Sequence, residues 1–313
     1  MFSFTSLLST IATLFLLLVA GYVAGRLKIV DETSSKNLST LIVKVGQPFM
    51  IINSLIGLEY SAENLKTGLL VLCLGLGMHV VLAVLSFVGA LPIKGLDERK
   101  VGEFSMVFTN CGFIGFPILE SIFGTEGLFY GAFFIISFHL ATWTWGIAIL
   151  ARQRADIRLT VKKALVNFGT IPSLIGFLLF VSRIPLPEAF TDFSAYLASL
   201  CTPIAVIITG ANLARRSLKK MLTSPLVYYV NLWRLVIIPM AVTVLLWVIG
   251  IPDNFVIFGC VMAAMPTAAV ATMFGEMYDI QPGLAAEFVG STSILCTATL
   301  VPVISFAAWL VSM

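Results

Sequence analysis

About a third of the way along the chain, Phe108-Thr109-Asn110-Cys111-Gly112-Phe113-Ile114-Gly115-Phe116-Pro117 sets a hydroxyl, a carboxamide and a thiol beside two glycines and a proline. Met262-Ala263-Ala264-Met265-Pro266-Thr267-Ala268 repeats the theme in the second half. Both stretches interrupt long apolar runs. Proline lacks a backbone N–H and clashes with the preceding turn, and glycine weakens a helix further. Each stretch therefore predicts a break, with a new half-helix beginning near Pro117 and near Pro266. A helix start presents unpaired N–H groups and the positive end of a dipole. Two such starts meeting in an apolar medium would hold an anion without a cationic side chain. Asn110 would add directional hydrogen bonds, and Thr109 and Thr267 hydroxyl contacts. Cys111, Gly112 and Met265 complete this candidate site. A simple proline kink is the competing reading of either proline.

Other ionisable residues fall inside apolar runs, where charge is costly unless paired or hydrated. Lys44 is a candidate to attract a substrate or to pair with a carboxylate, and its long stem can reach a cavity. Arg234 is expected to make a structural pairing rather than a substrate contact, and with Lys44, His79 and Glu120 it is a candidate for a charge or coupling role. Glu103, Glu120 and Glu287 lie near the ends of apolar runs, where interfacial solvation accounts for them; Glu120 also follows the first break closely. His79 and His139 could each carry a proton or donate one hydrogen bond to a neighbouring helix. His139 has the better claim to the site, because its segment should flank the breaks.

The elements that must position these residues are set by composition. The 313 residues are 59% hydrophobic and 11% charged, with a mean hydropathy of +1.02. A water-soluble domain carries about twice that share of charge, so lipid is the expected solvent and a multi-pass cell-membrane protein the expected class. The net charge of +3 is small and its basic residues are dispersed, which argues against nucleic acid. Five cysteines without paired spacing and two histidines without a ligand partner predict neither metal nor cofactor. No nucleophile or acid/base cluster suggests an enzyme.

Apolar runs predict spans at 5–25, 36–57, 66–92, 99–124, 127–151, 167–183, 190–213, 226–250, 254–275 and 282–312. The connectors after spans one, three, five and seven, with the first residues of the spans that follow, hold 15 of the 19 Lys and Arg residues, so they face the cytoplasm and both termini lie outside. Pro48 and Pro203, Phe123-Gly124 and Phe274-Gly275, and Gly127-Leu128 and Gly283-Leu284 recur at nearly constant separation. This predicts a five-helix repeat over 1–151, a short basic linker over 152–166, and an inverted repeat over 167–313.

The segment Thr109–Pro117, with Phe123-Gly124, Gly127-Leu128, Thr202-Pro203, Gly210-Ala211-Asn212-Leu213, Arg234-Leu235, Pro239 and Met265-Pro266-Thr267, resembles the auxin efflux carrier family, which includes bacterial malate and malonate permease homologues and the plant PIN proteins. The resemblance covers nearly the whole chain. It implies an all-α fold of ten transmembrane helices in two inverted five-helix repeats, with crossing broken helices four and nine, as in bile-acid and proton/sodium transporters. It also implies scaffold and transport helices interleaved across both repeats, an elevator-like movement, a homodimer, and site roles for Asn110, Pro117 and Pro266. The expected function is secondary active or potential-driven transport of small organic anions, with efflux the favoured direction. The alternative is a cation- or proton-coupled symporter or antiporter of the same fold. Against it, no span holds an aspartate pair, and span nine has no carboxylate at its break. The connector after span five is short, unlike the long hydrophilic loop of many plant members, which favours the prokaryotic branch.

Overall fold

In the computed structural model the described residues are 4–153, 166, 168–215, 221 and 223–313. They form helices α1 (Phe4–Arg26), α2 (Glu32–Ile56), α3 (Ala62–Ala90), α4 (Leu96–Val107), α5 (Gly115–Phe123), α6 (Thr125–Ala151), α7 (Thr170–Ser182), α8 (Glu188–Ala214), α9 (Pro225–Val248), α10 (Asp253–Ala264), α11 (Val270–Met277) and α12 (Pro282–Val311). The remaining described residues are connectors, and their only bridged pair is Thr109 with Thr267. Most of the expected 152–166 linker, including Arg154, Arg158, Lys162 and Lys163, lies outside the described residues.

Among the described residues, seven helices (α1, α2, α3, α6, α8, α9 and α12) are long and apolar enough to cross a bilayer. The protein is a multi-pass integral membrane protein. Helices α7 and α10 are apolar but have 13 and 12 residues, about 20 Å at 1.5 Å per residue. The expected spans four and nine are each divided, into α4 with α5 and α10 with α11.

Polar caps lengthen some helices beyond their apolar runs. The Asp31 carboxylate accepts the Ser34 N–H at 2.8 Å, and that bond holds its pKa below the usual carboxylate value. Helix α2 thus starts at Glu32, not at 36. Ser61 accepts the Asn64 N–H at 2.9 Å and starts α3 at Ala62, not at 66. Capping residues are hydrophilic, so a hydropathy boundary falls inside them.

Pro48 and Pro239 are carried within α2 and α9 without a break. Each follows a π-helical turn, Ile42–Gly46 and Trp233–Ile237 respectively. A wider turn relieves the clash between the proline ring and the preceding carbonyls. Lys44 and Arg234 sit on these two turns.

Two sets of helices result. In one, α1 packs along α8, and α2 against α7 and α8. In the other, α3 to α6 and α9 to α12 surround the two interrupted segments. The α1–α8 contact is close because a Cβ on Gly210 would stand 2.1 Å from the Leu18 carbonyl oxygen and 2.8 Å from the Tyr22 nitrogen. Neither backbone atom can rotate away. Gly210→Ala is therefore expected to destabilise the protein by about 1–3 kcal/mol, seen as a lower unfolding temperature in detergent; an unchanged temperature would contradict this packing. The Phe-Gly match of the two halves is not structurally equivalent. Gly124 (φ +64°) ends α5, whereas Gly275 lies within α11.

Candidate functional site

The two breaks meet as a short antiparallel crossing. The Asn110 N–H donates to the Pro266 carbonyl at 2.7 Å, and the Ala268 N–H to the Phe108 carbonyl at 2.9 Å. The Thr267 N–H donates to Thr292 Oγ1 at 3.1 Å, and the Thr267 hydroxyl to the Ser105 carbonyl at 3.0 Å. Unwound backbone survives in an apolar interior only when satisfied in this way.

The half-helices begin near the two prolines, within about one turn of each. Helix α5 begins at Gly115, two residues before Pro117, because the Asn110 carbonyl accepts the N–H groups of Ile114 (3.3 Å) and Gly115 (3.0 Å). Helix α11 begins at Val270, four residues after Pro266. Residues 266–268 are committed to cross-pairing, and Met265 is extended (ψ 148°), as a residue before proline prefers.

Arg234 is fully buried. Its guanidinium donates to the carbonyls of Met265 (Nε, 3.0 Å), Met106 (Nη1, 2.7 Å) and Ala263 (Nη2). These oxygens belong to the last turns of α4 and α10 or the residue after. The expected structural pairing is thus made to backbone, not to a carboxylate.

A cavity of about 660 Å³ runs from the crossing to the side of the basic connectors. Of the sequence-nominated residues, Thr109, Asn110, Gly112, His139 and Lys44 line it. Asn110 is 6% exposed, and its carboxamide has no hydrogen-bond partner among the described residues. Lys44 is exposed to the cavity, 6.0 Å from the Phe168 ring centre, and is in no ion pair among the described residues. His139 Nε2 lies 3.2 Å from Gln47 Nε2. An amide nitrogen only donates, so this His139 nitrogen accepts and the ring proton belongs on Nδ1.

The other nominated residues lie elsewhere. Cys111, Met265, Pro266 and Thr267 are buried within the crossing, and Pro117 is half-buried on α5. Glu120 is exposed on α5, beyond the crossing from the cavity. His79 is buried against Phe134 and donates from Nδ1 to the Gly75 carbonyl at 2.7 Å, within its own helix rather than to a neighbour. Glu103 is not solvated at an interface. It is 0% exposed and takes a two-pronged ion pair from Arg152, with Nη2 at 2.7 Å from Oε1.

Sequence reasoning missed several lining residues: Gln47, Thr142, Thr209, Asn212 and Thr272. Gln47 follows Lys44 by three positions, and Asn212 follows Thr209 by three, so each pair shares a helix face. Polar pairs at helical spacing in apolar runs were the available signal.

Residues 6–304 match the family described as membrane transport protein. The chain belongs to that family. It is the family of the auxin efflux carriers and PIN-like transporters, in agreement with the Thr109–Pro117 motif. The chain is also 22% identical over 293 residues to an uncharacterised transporter of Methanothermobacter thermautotrophicus, covering 93% of this chain and 95% of that one. It is 22% identical over 310 residues to an uncharacterised transporter of Methanocaldococcus jannaschii, covering 94% of this chain and 96% of the relative. This family member is thus a membrane transport protein, with a large cavity ending at the crossing.

Proposed function

We propose that this family member is a carrier of small organic anions such as carboxylates, binding them where the cavity meets the crossing. One observation carries the reading. The cavity presents the Lys44 ammonium and the Asn110 carboxamide, neither with a polar partner among the described residues, while Glu32 at its mouth is the only carboxylate among the described lining residues. A cation site would need carboxylates near the crossing. An anion meets a cation and hydrogen-bond donors there, including the N–H groups of Phe113, Ala269 and Val270, which have no acceptor among the described residues.

The carrier would hold two inverted five-helix repeats and ten membrane segments, with crossing broken helices four (α4 with α5) and nine (α10 with α11) and with α7 as a shorter sixth span. Mirrored packing supports this: α1 lies along α8 as α7 lies along α2, and α3 meets α6 as α9 meets α12. The cavity lies between the two helix sets, so α3 to α6 and α9 to α12 would carry the substrate past α1, α2, α7 and α8 in an elevator movement. By the distribution of basic residues, the cavity opens to the cytoplasm and the termini lie outside. An anion of one charge gains about 2.3 kcal/mol per 100 mV on leaving a negative interior, so efflux needs no coupling ion.

Counterflow of labelled malonate into proteoliposomes preloaded with unlabelled malonate tests the proposal. Transient accumulation is the expected result; mere equilibration would indicate a channel, and no uptake of any mono- or dicarboxylate would overturn the substrate class. Lys44→Met is expected to raise the KM for the transported anion about tenfold, with added salt narrowing the difference from the wild type. An unchanged KM would remove Lys44 from the site.

A further inference from the structure

We propose that Arg234 is a positioning residue that makes the crossing selective for negative charge, acting through the half-helix ends without touching the substrate. This rests on the anion-carrier reading above and deepens it.

Four half-helices meet at the crossing. Helices α4 and α10 arrive with their C-terminal, electronegative ends, and α5 and α11 leave with their N-terminal, electropositive ends. Each end carries roughly half an elementary charge. Left alone, the two pairs would nearly cancel, and an anion would find no net attraction. Arg234 changes that balance, because its guanidinium lies against one pair only. It binds Met106 at the end of α4 and both Ala263 and Met265 at the end of α10. One full positive charge offsets two ends of roughly −0.5 each, leaving about +1 from the starts of α5 and α11.

The carbonyl accounting agrees. Phe104 accepts from the Phe108 N–H, Ser105 from the Thr267 hydroxyl, and Met106 from Arg234. Ala263 and Met265 accept from Arg234, and Pro266 from the Asn110 N–H. These six carbonyls are thereby turned inward and satisfied. The cavity sees Gly112, Phe113, Ala269 and Val270 at the approaches to the electropositive ends, together with the buried, unpartnered Asn110 carboxamide. Arg234 is absent from the cavity wall and fully buried, so it acts on a substrate only through this frame. The planar fork reaches three oxygens on two helices, which an ammonium would do less well.

The test compares a dianion with a monoanion. KM and kcat for labelled malonate and labelled acetate are measured in proteoliposomes at mildly alkaline pH, for the wild type, Arg234→Met and Arg234→Lys. Arg234→Met is expected to raise the malonate KM about tenfold more than the acetate KM, since the lost charge acts twice on the dianion. Arg234→Lys is expected to keep the malonate-to-acetate KM ratio within about twofold of the wild type while lowering kcat, because charge is retained and the fork is lost. Equal KM changes for both anions in Arg234→Met, or loss of the ratio in Arg234→Lys, would overturn the proposal. Should Arg234→Met fail to fold, the lysine variant alone decides. A wild type that carries neither anion, nor any other carboxylate, would instead refute the anion-carrier reading on which the proposal stands.

Discussion

Asn110→Ala is expected to reduce carboxylate transport by roughly 100-fold while leaving the protein folded. The two halves of that expectation have separate causes. The Asn110 backbone holds the crossing together: its N–H donates to Pro266, and its carbonyl accepts from Ile114 and Gly115. Alanine keeps all three bonds. The side chain does none of this; its carboxamide is turned to the cavity with no partner among the described residues. A hydrogen bond to a charged group is worth about 1.5–3 kcal/mol, so losing one strong bond from a bound carboxylate accounts for the fall. Initial rates in proteoliposomes, beside thermal unfolding of the same preparation, separate the effects. Transport at the wild-type rate would remove Asn110 from the site, and a large loss of stability would show that its side chain has a structural duty.

Arg152→Met is expected to destabilise the protein by about 3–5 kcal/mol, more than Glu103→Gln does. Glu103 is 0% exposed, whereas the Arg152 side chain is 30% exposed. Removing the arginine strands a carboxylate with no water to turn to. Removing the carboxylate leaves a guanidinium that reaches solvent and retains the Phe87 ring, 5.5 Å away. This pair ties α4 to the end of α6, which fixes the approach of Val107 and Phe108 to the crossing. The double variant Glu103→Leu/Arg152→Met should recover much of the stability, since a buried pair and an apolar pair of similar volume are nearly equivalent. Chemical denaturation in detergent checks the order. Equal destabilisation by both single changes would contradict the burial asymmetry.

What the sequence made legible follows from chemistry that is local. Pro117, Gly112 and Gly115 crowd helix-weakening residues into one short stretch, and Pro266 weakens the other; both breaks are present. Composition and apolar runs set the membrane class for the same reason. The details that escaped depend on partners far along the chain. Thr267 was nominated for hydroxyl contact with a substrate, but its hydroxyl is donated to Ser105, 162 positions away. Nothing in Met265-Pro266-Thr267 specifies that direction. Arg234 reads as structurally paired, yet its partners are carbonyls, which every residue carries and no sequence pattern marks. Glu103 reads as interfacial by position in its run, and only its tertiary pairing with Arg152 reveals its burial. Pro48 and Pro239 have the same ring and the same missing N–H as Pro117. Their helices continue because a π-helical turn precedes each one.

The most direct measurement is a structure of the protein with a bound bromine-labelled carboxylate, located by the anomalous signal of the label. The carboxylate is expected within hydrogen-bonding reach of the Asn110 carboxamide and the N–H groups at the start of α11, with the remainder of the ligand in the cavity toward Lys44. A ligand at any other place, with the approach to Asn110 empty, would contradict the account.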